Sequence, residues 1–140
     1  MAISGISHIT FIVRDLERAR QFWCEGLGAQ MVYDSGAQCF SKSSERFFVL
    51  GGVWIATMQG EPTMDHSHRH VACEVDEVAL PEYEHRLKQL GVRFQAPRSR
   101  IAGEGVSLYV YDFDGHLIEL HTGTLAQRLA SYQAQLIEVE

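Results

Sequence analysis

Residues 107–123 read SLYVYDFDGHLIELHTG, a strand, a turn and a second strand that carries a carboxylate. Leu108 to Tyr111 is aliphatic and aromatic throughout, which suits a buried strand. Asp112, Asp114 and Gly115 supply the turn, because aspartate tolerates tight backbone angles and glycine takes positive φ without strain. In the second strand the two-residue period places Leu117, Glu119 and His121 on one face and Ile118 and Leu120 on the other. A carboxylate among apolar neighbours in a strand is costly to bury unless something positive sits against it. On this segment alone, Glu119 reads equally well as a rim residue with its charge in water. What separates the two readings lies upstream, at His8 and His70.

Working outward, the chain repeats itself. Residues 6–13, ISHITFIV, form a β-branched strand whose alternation puts His8, Thr10 and Ile12 on one face. Asp15 caps a helix with apolar positions Leu16, Ala19, Phe22 and Trp23, which Gly26 and Gly28 end. Strands follow at Ala29 to Tyr33, Phe47 to Leu50 and Val53 to Met58, the last two joined by Gly51-Gly52. Residues 69–75, RHVACEV, begin the same programme again, with a helix from Pro81 through Tyr83, Leu87 and Leu90 and a strand at Val92 to Gln95. Ser7-His8-Ile9 matches Arg69-His70-Val71 at an offset of 62, and Met58-Gln59-Gly60 matches His121-Thr122-Gly123 at 63. Each half therefore reads β-α-β-β-β, and an α+β fold of tandem modules, forming a curved mixed sheet around a cleft, is expected. Module one covers about 5–60 and module two about 68–123 of a single domain, with a C-terminal helix at about 124–138. Thr124 caps that helix, and its stripe of Leu125, Leu129, Tyr132 and Leu136 is suited to docking on a partner chain. The modules could close on each other within one chain or on a second subunit.

Composition narrows the function. A chain of 140 residues with 46% hydrophobic content builds one hydrophobic core. A net charge of −6 without a basic stripe argues against nucleic acid, while a local arginine cluster still permits a small anion. Cys24, Cys39 and Cys73 are odd in number and widely spaced, as expected of thiols in a reducing compartment. No apolar run reaches the length of a membrane span and the N-terminus has no signal-peptide core, so the cytoplasm is the expected location and no membrane partner is expected.

The repeat singles out His8 and His70 among seven histidines, since both hold the third position of an equivalent first strand. The first-module counterpart of Glu119, 63 residues earlier, is Ala56. Three ligands follow, His8, His70 and Glu119, with the fourth quasi-symmetric position empty. Two imidazoles and a carboxylate suit Mn(II), Fe(II), Zn(II) or Ni(II), and open coordination positions mark a catalytic metal rather than a structural one. Of the remaining histidines, His66 and His68 read as a polar loop, His85 as a solvated helix face and His116 as an exposed turn residue. His121, on the Glu119 face, is the strongest candidate left outside the ligand set.

Four segments resemble one family across nearly the whole chain: ISHITFIVRDLER (6–18), SSERFFVL (43–50), VWIATMQG (53–60) and RIAGEGVSLYVYDFDGHLIELHTGTLAQRL (100–129). The sequence is similar to the vicinal oxygen chelate superfamily of glyoxalase and bleomycin-resistance proteins, and within it to the hydrolase branch of the fosfomycin-resistance group. That resemblance implies paired modules in a domain-swapped homodimer, with His8 of one subunit and His70 and Glu119 of the other holding Mn(II). It implies water addition to C1 of fosfomycin, a small epoxide phosphonate, with Glu45 as general base. It implies phosphonate binding by Arg98, Arg100, Ser107, Tyr109 and Arg128 around the Gly103-Glu104-Gly105 turn, and a pocket wall of Thr10, Phe47 and Trp54. Gly103 stands where the glutathione-using branch has a serine, and Glu45 has no counterpart in the bacillithiol branch. Val106 departs from the hydrolase pattern, which has an arginine after GEG, so one cation beside the phosphonate is lost. The competing expectations are a thiol transferase on the same substrate, a dioxygenase or isomerase of the superfamily, and a metal-free protein that sequesters a drug.

Overall fold

In the computed structural model, which describes residues 2–63, 67–97 and 100–139, the β-branched run at the N-terminus forms β1, His8–Val13. Asp15 then caps α1, Leu16–Arg20, its carboxylate accepting from Glu17 N at 2.8 Å and Arg18 N at 3.1 Å. The helix continues as a π turn over Gln21–Gly26 that buries Phe22 and Trp23. Strands β2 (Gln30–Asp34), β3 (Glu45–Leu50) and β4 (Val53–Gln59) complete the first module. The second repeats it with β5 (His70–Glu74), α2 (Leu80–Gln89), β6 (Phe94–Gln95), β7 (Ser107–Tyr111) and β8 (Leu117–His121). Helix α3 runs over Leu125–Val139. Predicted strand ends differ by a residue or two, most at β6, which is two residues long and follows buried Val92.

Each module is its own four-stranded mixed sheet, ordered β1-β4-β3-β2 and β5-β8-β7-β6. In both, the first strand pairs parallel with the last: Thr10 lies opposite Ala56 and Ala72 opposite Glu119. The quasi-symmetry read from the sequence is thus present in the register itself, with Ala56 at the place of Glu119.

Strand alternation sends one face of each sheet inward. Phe11, Val13, Phe48 and Ile55 from module one join Val110, Ile118 and Leu120 from module two, with Phe22, Trp23 and Leu87 from the helices, in one continuous core. The modules are also tied at their rims. Asp114 accepts from Arg14 N at 3.1 Å and Arg14 Nη1 at 3.3 Å. His116, expected to be exposed, is half-buried: its ring meets Phe11 edge-on at 5.0 Å and its Nδ1 lies 2.7 Å from Asp112 Oδ2. The turn carries this ring into the junction between modules, which no local pattern reveals. All three cysteines are unpaired, and burial raises the thiol pKa of Cys24 and Cys73. No helix among the described residues is long and apolar enough to cross a membrane.

Candidate metal centre

Parallel pairing of β5 with β8 sets His70 one step from Glu119 on the same face. His70 Nε2 lies 2.9 Å from Glu119 Oε2. The other ring nitrogen, Nδ1, is 2.6 Å from the His68 carbonyl oxygen, which can only accept, so Nδ1 carries a proton. In the neutral ring Nε2 is then a bare lone pair facing a carboxylate oxygen. Two acceptors directed at one point ask for a cation between them. Ligands at about 2.1 Å from one ion and at right angles to each other lie about 3 Å apart, which matches this pair. A borderline divalent metal suits the nitrogen and oxygen donors present.

Glu119 is only 4% exposed, so it is not a rim residue. Its second oxygen, Oε1, accepts from Ser107 Oγ at 2.6 Å and from Arg100 Nη2 at 2.9 Å. Burial pushes its pKa up, but hydrogen bonds from Ser107 and Tyr109 and the nearby His70 and His121 rings outweigh this and hold it below the ordinary carboxylate value. The two N–H of Arg100 Nη2 are shared among Glu119 Oε1, Ser107 Oγ at 2.7 Å and Tyr109 Oη at 2.8 Å. Its Nη1 is buried without a hydrogen-bond partner among the described residues. A guanidinium donor left over beside such a pair is equipped to take an anion. Arg128 Nη2 donates to His121 Nε2 at 3.2 Å, and His121 Nδ1 stands 2.7 Å from Ser107 Oγ. His121 therefore belongs to the site, and its place on the Glu119 face was the signal for it. His68 was missed as a participant: what matters is its backbone carbonyl, to which side-chain chemistry is no guide. Glu104 turns inward at 2% exposure to hold Ile101 N at 3.1 Å and Tyr132 Oη at 2.5 Å. Arg98 lies outside the described residues.

Module one supplies the other predicted side chains on one face of its sheet. Register places His8 beside Trp54, Thr10 beside Ala56, Phe47 beside Ala56 and Glu45 beside Met58. The His8 ring stacks on Trp54 at 4.1 Å, and Trp54 meets Phe47 at 5.0 Å. Trp54 Nε1 is buried without a hydrogen-bond partner among the described residues. Glu45 is half-buried at the start of β3, where its N–H donates to Ser35 Oγ at 2.9 Å. Among the described residues no group of three or more His, Cys, Asp or Glu side chains is arranged to hold a metal ion, and His8 and Thr10 are exposed. One chain brings His70 and Glu119 together and leaves His8 outside.

Four similarities bear on this arrangement. The model of the Glyoxalase/Bleomycin resistance protein/Dioxygenase superfamily matches residues 5–120. The chain is 46% identical over 130 residues to the fosfomycin resistance protein FosX of Listeria monocytogenes, covering 93% of this chain and 98% of that one. It is 34% identical over 137 residues to the metallothiol transferase FosB of Shouchella clausii, covering 94% and 88%. Among solved structures, a variant of Listeria monocytogenes FosX complexed with Mn(II) and 1S,2S-dihydroxypropylphosphonic acid superposes with a TM-score of 0.84 at 43% identity, covering 94% of this chain and 99% of that one.

Proposed function

The chain belongs to the Glyoxalase/Bleomycin resistance protein/Dioxygenase superfamily, and from that premise we propose that it is a Mn(II)-dependent epoxide hydrolase that adds water to C1 of fosfomycin, giving the diol phosphonate and antibiotic resistance. The observation that carries this reading is the His70–Glu119 pair, two acceptors 2.9 Å apart beside an arginine whose Nη1 has no partner among the described residues, in a chain so similar to a protein solved with Mn(II) and a dihydroxypropylphosphonate.

His70 and Glu119 hold the metal, together with His8. Because His8 is on the other module and exposed, it reaches that pair from a second copy of the chain, and the working unit is a homodimer with shared sites. Mn(II), when bound, supplies Lewis acidity toward the oxirane oxygen. Arg100 and Arg128 bind the phosphonate, with Ser107, Tyr109 and Arg98, while Thr10, Phe47 and Trp54 wall the pocket around the carbon skeleton. Glu45 takes the proton from the water whose oxygen bonds to C1 as the C1–O bond of the ring breaks, and the freed oxygen on C2 takes up a proton from solvent to complete the diol. Water is a poor nucleophile at neutral pH, and a positioned carboxylate base is worth roughly 10²–10⁴ in rate. Unpaired thiols, two of them half-buried, fit a cytoplasmic enzyme.

The test is phosphorus NMR of fosfomycin with the metal-stripped protein, with and without Mn(II), in thiol-free water enriched in ¹⁸O. The expected outcome is Mn(II)-dependent diol carrying the label at C1, slowed by about 10²-fold or more in Glu45→Gln. Turnover only after glutathione or another thiol is added would replace this reading with a thiol transferase, in line with the FosB similarity. No turnover under either condition would remove fosfomycin as the substrate.

A further inference from the structure

We propose that His121 is a positioning residue that commits the Ser107 proton to Glu119 and thereby selects the carboxylate oxygen presented to the metal. This rests on the metal-centre reading above. The hydrogen-bond chain Arg128–His121–Ser107–Glu119 has its direction set at both ends. A guanidinium only donates, so His121 Nε2, 3.2 Å from Arg128 Nη2, must accept. The neutral ring then carries its proton on Nδ1 and donates it to Ser107 Oγ at 2.7 Å. At the other end an ionised carboxylate only accepts, so Ser107 donates to Glu119 Oε1 at 2.6 Å.

The serine hydroxyl has one proton and two lone pairs. Arg100 Nη2, at 2.7 Å, and His121 Nδ1–H address the lone pairs, leaving a single direction for the proton. With the opposite tautomer, His121 Nδ1 would be a competing acceptor and draw the Ser107 proton away from Glu119. Arg128 excludes that tautomer. Oε1 is consequently tied to Ser107 and Arg100, and Oε2 is the oxygen turned toward His70 Nε2. Outer-shell groups of this kind typically change metal affinity by about 10–100-fold.

Two substitutions separate positioning from space filling. In His121→Asn the amide nitrogen takes the place of Nδ1 and still donates to Ser107. In His121→Gln, which fills the volume better, the amide takes the place of Nε2 and the donor to Ser107 is gone. Mn(II) affinity, read from the free-ion EPR signal, is expected to stay within about threefold of wild type in Asn and to fall about tenfold or more in Gln. Equal losses, or a larger loss in Asn, would overturn the proposal. An independent reading is the long-range ¹H–¹⁵N correlation of His121 in the metal-free protein at alkaline pH, where the Nδ1–H tautomer is expected and the Nε2–H tautomer would refute the relay. If wild type takes up no Mn(II) that Glu119→Ala abolishes, the metal-centre reading itself fails, and the tautomer experiment shows separately whether the hydrogen-bond chain stands.

Discussion

Arg100 sets one nitrogen, Nη2, against Ser107, Tyr109 and Glu119, and leaves the other, Nη1, with no partner among the described residues. A planar fork can do both at once because its donors diverge in a fixed geometry, which an ammonium lacks. In Arg100→Lys the single charged group must choose between the carboxylate and an incoming anion. Losing one charged hydrogen bond is worth about 1.5–3 kcal/mol, so KM for fosfomycin is expected to rise roughly 10–100-fold with a smaller change in kcat. Steady-state kinetics followed by phosphorus NMR measure both. An unchanged KM would mean that Arg100 serves Glu119 alone and that the phosphonate lies elsewhere.

The turn between β7 and β8 is organised by Asp112. Its Oδ1 accepts from Asp114 N at 3.0 Å and His116 N at 2.8 Å, and its Oδ2 pairs with His116 Nδ1. This geometry starts β8 at Leu117 and so determines where Glu119 falls. Burial lowers the pKa of His116, but the hydrogen bond and charge of Asp112, with the charge of Asp114, outweigh it and raise the pKa above 6.5. A raised histidine pKa stabilises the fold fully below the unfolded value of about 6.5, and the contribution is lost as pH rises through the folded value. Asp112→Ala is therefore expected to cost about 2–3 kcal/mol at pH 5.5 and measurably less at pH 9, where the ring is neutral and the ionic part of its hydrogen bond to Asp112 is already gone. Urea unfolding at the two pH values checks the sign, and an equal cost at both would remove the His116 contribution. At the last helix, Thr124 Oγ1 accepts from Gln127 N at 3.2 Å while Gln127 Oε1 accepts from Thr124 N at 3.0 Å, a reciprocal cap that starts α3 where the threonine indicated.

For the whole molecule, the proposed division of the site between modules is the decisive feature. If His8 acts with the His70–Glu119 pair of another subunit, two inactive variants can repair each other. Mixing His8→Ala with Glu119→Ala after unfolding and refolding makes half of the dimers mixed, each with one intact and one doubly defective site. Recovery of about a quarter of wild-type activity is expected from that symmetry, and none if each site forms within a single chain. The exposed stripe on α3, Leu125, Leu129 and Leu136, fits the same picture of a buried face in the dimer. Leu129→Asp is expected to shift the protein toward monomer in light scattering.

Much of this was legible in the sequence because it is written in periodicity. The two-residue alternation of the strands put Glu119 with His121 on one face and His8 with Thr10 on another, and the repeat paired His70 with His8 and Ala56 with Glu119, since register follows from pattern wherever one face is buried. The partial burial of His116, the inward turn of Glu104, the carbonyl of His68 behind His70 and the relay through His121 were decided by tertiary structure alone. Each depends on contacts between segments remote in sequence or on backbone atoms that every residue type possesses. Hydrophobic pattern specifies which way a side chain faces, whereas hydrogen-bond partners follow from distances that exist only once the modules have packed.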